Sequence, residues 1–342
     1  MPHDSTVSHT SPITVDDIDP RLAAIMTRLL EVPRPRIPPP WPRDGQTEMD
    51  WRSEIHNLRA VHREHAEKLF GLLAPRPTYS GPPGVDHTVP VHGDAIKVRF
   101  YGTTASAAPL VVHLHGGGFW SGGGEAGLDA AAPTLGLLRD SLGVCVADVD
   151  YRTAPEHRFP TPLNDCADAV DWLLAHAEDL GVDRTRMIFV GASAGAQLAA
   201  GLTQLVTQRG WPSPRRMVLL APPLDALMTS DSVDELAAVS PGGRELLASA
   251  WDLYLPRDQD RRDPLVSAVY APDASVFPAT YLAAGRYDPI RDDARRFAAL
   301  LQSADVDVDY REYPMGHGIG LPETTAALAM DLAGAIQLAC FD

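Results

Sequence analysis

Cysteine is scarce in this chain of 342 residues: Cys145, Cys166 and Cys340 are odd in number and far apart. With no C-x-x-C pair or close cluster, neither a disulfide framework nor a zinc or redox centre is expected, and all three read as small core residues. Positive charge is in deficit, with 29 Lys and Arg against 45 Asp and Glu and a net charge of −16. Such a chain repels phosphate backbones and anionic lipid surfaces, so nucleic acid is not expected as a partner; the plainer consequence of the acidity is solubility. Long apolar runs are missing too. MPHDSTVSHTSP lacks a basic start leading into an apolar stretch, and no later segment is apolar without interruption. No stable membrane insertion is therefore expected, and the default location is cytoplasmic. What the chain does have, 45% hydrophobic residues over this length, suffices for one large α/β domain with an added segment, or for two domains.

Residues 1–18 are polar and expected to fray. Asp19-Pro20 then reads as an N-cap with proline at the first helical position, followed by the apolar stripe Leu22, Ile25, Met26 and Leu29. Six of the ten residues from Pro33 to Pro42 are proline, which forces an extended course and a change of direction. Trp51, Ile55, Leu58 and Leu69 predict a second helix over about 49–72. His56, His62 and His65 on that helix lack a carboxylate or cysteine cluster, so they read as surface or packing residues and no metal site is expected. Residues 1–85 have too little core to fold alone and read as a helical appendage over another domain.

From Thr88 onward strands and helices alternate. Strand-like runs begin near Thr88 and, after a turn at His92-Gly93-Asp94, continue with Ile96–Tyr101, Leu110–Leu114, Val144–Val149, Met187–Val190, Met217–Leu220, Thr280–Ala284 and Val308–Tyr313. Helical stripes fall at Ala130–Leu142, Leu163–Leu173, Leu198–Leu205 and Arg291–Leu301, with a last helix from Pro322 carrying Leu328, Leu332 and Ile336. This alternation predicts right-handed crossovers and a mainly parallel sheet covered on both faces. It breaks between about Asp225 and Ser275, where a helix over Arg244–Tyr254 sits in an irregular stretch; an excursion of that length is a functional segment or a lid.

The chemistry centres on Val190-Gly191-Ala192-Ser193-Ala194-Gly195, a G-x-S-x-G stretch between a strand and a helix. A sharp turn there holds the serine in strained backbone with its hydroxyl outward. A neutral hydroxyl needs a base, and in the chain order Ser, Asp or Glu, His the base must follow it. Histidine is scarce where it matters: of twelve, only His317 lies after residue 176. It occupies a glycine-flanked loop beyond the last predicted strand. Asp288, in the loop after Thr280–Ala284 and held extended by Pro289, is the expected orienting acid. Asp292 and Asp293 read instead as first-turn acids favoured by the helix dipole. His115-Gly116-Gly117-Gly118-Phe119 ends the Leu110–Leu114 strand and supplies N–H groups for an oxyanion: Gly116 and Gly117, together with Ala194. His115 is expected to hold this loop. Gly122, Gly124 and Gly127 also satisfy G-x-G-x-x-G with Asp148 downstream, but they begin well past the strand end, so dinucleotide binding is not expected.

These pieces resemble the bacterial hormone-sensitive-lipase-like (family IV) carboxylesterases. The resemblance rests on HGGGF, on Asp150-Tyr151-Arg152-Thr153-Ala154-Pro155-Glu156-His157-Arg158-Phe159-Pro160, on the Ser193 elbow, on Asp288-Pro289-Ile290-Arg291-Asp292 and on His317, running in order from about 113 to 318. It implies an α/β-hydrolase fold with an eight-stranded, mainly parallel sheet, helices on both faces and a helical cap. Residues 1–85 and an insertion at about 225–260 would form the cap, over a catalytic domain of 86–342. It further implies a serine carboxylesterase of short- to medium-chain acyl esters with no cofactor, Ser193, His317 and Asp288 as the triad, a small-molecule ester as ligand, and a homodimer through the last strand and its neighbouring helix. The Tyr151–Glu156 stretch would be a structural turn. Gly118, Phe119 and Trp120 are placed at the substrate pocket; Trp41 and Trp51 either shape it or fill core. Ala192 and Ala196 stand where the family has Asp and a second glycine, and Ile319 where it has an aromatic residue, which bears on substrate range. Within the class a deacetylase or lactonase fits the same machinery. From another class comes a non-catalytic small-molecule-binding protein, as the plant gibberellin receptors resemble this family; the intact triad favours the enzyme.

Overall fold

The computed structural model describes residues 17–31, 35–73, 77–236, 239–240 and 243–341. The expected frayed start falls mostly on residues 1–16, and that part, like Pro33 and the side chain of Leu69, lies outside the described residues.

Eight strands form one sheet in the order β1-β2-β4-β3-β5-β6-β7-β8. They are β1 (Val85–Val91), β2 (Asp94–Tyr101), β3 (Ala108–Leu114), β4 (Cys145–Asp150), β5 (Val182–Ala192), β6 (Arg216–Leu220), β7 (Thr280–Gly285) and β8 (Val308–Tyr313). The β1–β2 and β2–β4 pairings are antiparallel and all others parallel. The helices are α1 (Pro20–Glu31), α2 (Glu48–Leu73), α3 (Glu125–Leu142), α4 (Thr161–Ala175), α5 (Ala177–Leu180), α6 (Ala194–Gln204), α7 (Val206–Arg209), α8 (Ser232–Glu235), α9 (Gly243–Tyr254), α10 (Arg291–Ser303) and α11 (Pro322–Phe341).

The period of two along each strand divides the core. Leu110, Val112 and Leu114 of β3 pack toward one face with Cys166 and Val170 of α4, Leu198 and Leu202 of α6 and Phe297 of α10. Val111, Val146, Ile188 and Val218 point to the other face, against Leu135 of α3 and Ile336 and Cys340 of α11. The three cysteines are free and buried. By length and composition α11 could cross a membrane, but its Ala335, Ile336, Ala339 and Cys340 are buried against the sheet.

Two boundaries differ from the sequence reading. The third helix starts at Glu125 rather than Ala130, because Gly124 with φ 76° ends the loop there. β5 starts at Val182, ahead of the apolar run, since Asp183-Arg184-Thr185-Arg186 is extended but polar. The short helices α5, α7 and α8 carry too few residues for a periodic signal.

The N-terminal helices lie across the sheet domain. Leu22 and Met26 of α1 are buried with Leu236, Tyr287 and Leu321. Trp51 and Ile55 of α2 are buried, and the Trp51 indole N–H donates to the Pro39 carbonyl. Arg59 fixes α2 in place: its guanidinium donates to the carbonyls of Trp120 and Ala154, each at 2.7 Å, and forks onto the Glu156 carboxylate at 2.6 and 2.7 Å. Arg158 joins the proline-rich strap to α9. It donates to the carbonyls of Asp252, Leu253 and Leu255 at the helix C-terminus and to that of Pro40, and lies 3.6 Å over the Trp41 ring. The Tyr151–Phe159 stretch is therefore the surface on which the N-terminal segment and the excursion meet.

Candidate active site

Ser193 stands between β5 and α6 with φ 51° and ψ −120°, a region costly for any residue with a side chain. The surroundings hold it there: its N–H donates to the Leu220 carbonyl at 2.8 Å. A Cβ at Gly195 would overlap the Leu114 carbonyl, and one at Gly191 the Gly195 carbonyl, so close backbone packing compels glycine at both. Ala196 is fully buried against the core.

His317 lies within reach. Its Nε2 is 3.0 Å from Ser193 Oγ and its Nδ1 is 2.8 Å from Asp288 Oδ2. A carboxylate only accepts, so the imidazole proton belongs on Nδ1 and Nε2 is left with a lone pair toward the serine. Asp288 is 1% exposed, and its other oxygen accepts the Ile290 N–H at 3.1 Å. Burial opposes the imidazolium, but the charge and hydrogen bond of Asp288 act the other way and His317 ends above the usual histidine value. The ring edge is open to the cavity in front of it, with 41% side-chain exposure, which weakens the opposing effect of burial. Gly316 and Ile319 close the histidine loop with two mutual backbone hydrogen bonds, and Ile319 packs on the α1 cluster.

The glycine loop after β3 abuts the elbow. A Cβ on Gly116 would come within 2.9 Å of the Ala192 carbonyl, and Gly117 has φ 119°. His115 donates from Nδ1 to the Gly116 carbonyl at 2.8 Å and stacks on Tyr151 at 4.1 Å, while the Tyr151 hydroxyl donates to the His115 carbonyl at 2.7 Å. Burial pulls His115 below its usual value, consistent with a neutral ring. Among the described residues no backbone carbonyl accepts the Gly116 or Gly117 N–H outside the regular elements. Ala194 begins α6, where the first amides have no intrahelical partner.

A cavity of about 1220 Å³ opens here, walled by Ser193, His317, Gly116, Gly117, Gly118 and one face of α2. Phe119 and Trp120, placed at the pocket by the sequence reading, do not line it. Phe119 has φ 67° and turns into the core, stacking on Tyr254 at 4.0 Å; Trp120 is 5% exposed and packs with Ala154 and Leu253. Trp41 and Trp51 are likewise absent from this wall. Asp148, the acid of the glycine-rich decoy, is buried and bonded to His113 at 2.7 Å, so it presents no free face to a ribose. Sequence reasoning missed Arg59, Glu156 and Arg158 as joints. The one signal was the polar stripe Arg52, His56, Arg59 and Arg63 on α2, whose spacing places it on one helix face.

A family profile described as the alpha/beta hydrolase fold matches residues 111–320. Ethyl acetate hydrolase of Pseudomonas putida is 33% identical over 65% of this chain and 70% of its own length. Carboxylesterase NlhH of Mycobacterium tuberculosis is 33% identical over 61% of this chain and 66% of its own, so the aligned part spans about two thirds of these relatives. Among solved structures, a bacterial heroin esterase superposes with a TM-score of 0.79 at 26% identity, covering 96% of this chain and 100% of that one. Esterase LipW of Mycobacterium marinum gives 0.74 at 27% identity, covering 97% and 99%. The chain belongs to the α/β-hydrolase family of hormone-sensitive-lipase-like esterases and, with it, to the carboxylic ester hydrolases.

Proposed function

We propose that the protein is a serine carboxylesterase hydrolysing short- to medium-chain acyl esters through an acyl-enzyme. The observation that carries this reading is the unbroken chain Asp288–His317–Ser193, with steps of 2.8 and 3.0 Å, ending at an open cavity. Ser193 Oγ attacks the ester carbonyl while His317 Nε2 takes its proton. Asp288 holds the tautomer and stabilises the imidazolium. The Gly116, Gly117 and Ala194 N–H groups receive the oxyanion as it forms, a contribution typically worth about 3 kcal/mol per donor. His317 then gives the proton to the leaving alcohol, and water repeats the sequence on the acyl-enzyme. α2 and α9 act as the cap, while α1 supports the loops that carry Asp288 and His317. The printed activity of the Pseudomonas relative, on ethyl acetate, supports a small acyl group and keeps deacetylation within the same reading.

The test is hydrolysis of p-nitrophenyl esters from acetate to long acyl chains by the wild type and by Ser193→Ala. Turnover falls by roughly three orders of magnitude or more in the variant, and rates decline as the chain lengthens. Equal, near-background rates for both proteins, with no labelling of Ser193 by a small fluorophosphonate, would sink the reading.

A further inference from the structure

The cavity in front of Ser193 is walled, among the described residues, mainly by small and ionisable side chains. Among the described residues its wall contains no Leu, Val, Met, Phe or Trp, and the larger apolar side chains on it, Ile96 and Tyr151, are themselves buried. Pockets for acyl chains are lined by bulky apolar groups. Here glycine, alanine and ionisable residues take their place.

The charges on that wall run against the chain as a whole, whose net charge is −16. One face of α2 presents Arg52, His56, Arg59 and Arg63, and Lys97 and Arg152 also line the cavity. Three of these cations are neutralised at close range. Arg59 forks onto Glu156, Lys97 meets Asp86 and Glu125, and Arg152 holds Asp165 at 2.6 Å. The other two are not. Arg52 has only Glu48, one turn away and 57% exposed, a pairing worth a few tenths of a kcal/mol. Arg63 makes no ion pair among the described residues, not even with Glu67 a turn further on. The remaining acids on the wall are Asp150, which accepts the Gly124 N–H and whose pKa burial raises, and Glu67, exposed at the outer end of the same helix face. Two guanidinium groups eleven positions apart on one helix face thus look into a polar chamber that ends at the serine.

We infer that one half of the ester carries a carboxylate or a similar anion, bound by Arg63, with Arg52 about three turns away on the same face adding to the positive potential of the wall, while the other half is small. This rests on the ester-hydrolase reading of Ser193. A guanidinium fork matches the two oxygens of a carboxylate in a way an ammonium does not. His62 and His157, both held below the usual imidazole value by burial, add neutral hydrogen-bonding groups to the same wall.

Two matched probe pairs test this. In one the charge is in the alcohol half, 4-acetoxybenzoate against 4-acetoxybenzamide; in the other it is in the acyl half, mono-(4-nitrophenyl) adipate against 4-nitrophenyl adipamate. The readout is the kcat/KM ratio of charged to neutral member, which cancels general effects of a substitution on turnover. For one pair, the ratio falls about tenfold or more in Arg52→Gln/Arg63→Gln, as expected for loss of a charge-assisted hydrogen bond. Arg63→Gln lowers it in part, Arg63→Lys retains some of it, and raising the ionic strength about tenfold reduces it. Ratios that ignore both the substitutions and salt in both pairs overturn the inference. Failure of the underlying reading looks different: neither neutral probe is hydrolysed and Ser193 is not labelled by a fluorophosphonate.

Discussion

At His317 the protonation state is decided between burial, which disfavours the imidazolium, and the Asp288 carboxylate, which favours it and prevails. Since only the neutral ring can accept the serine proton, the acid limb of kcat/KM belongs above the ordinary imidazole value of about 6.5. Asp288→Asn removes the raising charge and leaves burial alone, so the limb moves to lower pH. Turnover drops as well, by up to roughly 10⁴-fold as in other serine hydrolases. A pH–rate profile of both proteins checks this; an acid limb unmoved by the substitution would contradict it. This residue pair was legible in the sequence through scarcity, because one histidine follows residue 176 and one aspartate sits before a proline after the seventh strand. Phe119 and Trp120 were not legible. Their side chains follow the backbone, and the φ of 67° at Phe119 that turns the ring away from the cavity leaves no mark in residue type.

At the scale of elements, the excursion between β6 and β7 is tied down from α10. Asp293, in the first turn of α10, accepts the N–H groups of Leu224 and Asp225 at 2.9 and 3.1 Å and the hydroxyl of Ser230. Burial dominates the effect of these donors and pushes its carboxyl up to about 7. Between about 4, where an unfolded aspartate releases its proton, and about 7, the folded state holds a proton that the unfolded state has lost. Stability from this group is therefore present at low pH and lost as pH rises through that window, by on the order of 4 kcal/mol at most. Asp293→Asn keeps the acceptor for the two amides and offers its NH₂ to the Ser230 hydroxyl oxygen. Denaturant midpoints across this range will fall more steeply with pH in the wild type than in the variant; parallel curves would count against it. The sequence identified Asp293 as a first-turn acid, which its place in α10 bears out. Its role could not be read there, because its partners are more than sixty residues away in sequence. The alternation of strands and helices was readable because β3, β4, β6, β7 and the second half of β5 are nearly continuous buried runs. The polar start of β5 and the glycine-capped start of α3 were not.

Across the whole molecule, the N-terminal segment has two contacts with different consequences. Through Arg59, α2 sits beside the cavity and acts on what enters it. α1 lies beneath the machinery instead. Leu22 and Met26 pack with Tyr287, the residue before Asp288, and the Met26 methyl is 3.6 Å from where a Cβ on Gly316, the residue before His317, would lie. The Tyr287 hydroxyl also donates to the Asp17 carbonyl at 3.1 Å. A helix in that position sets the loops carrying two triad members, and a displacement of about 1 Å in such loops can cost on the order of 10²-fold in rate. Removal of residues 1–31 should thus lower kcat for the acetate ester as much as for longer esters, by about 10- to 100-fold. Leu22→Ala/Met26→Ala, which keeps the chain intact, should show the same pattern in milder form, with near-ultraviolet circular dichroism confirming that the sheet domain remains packed. A lid would behave otherwise, shifting KM and the chain-length profile while leaving kcat for acetate in place. That result would return α1 to the role of cover that its position in the sequence suggested.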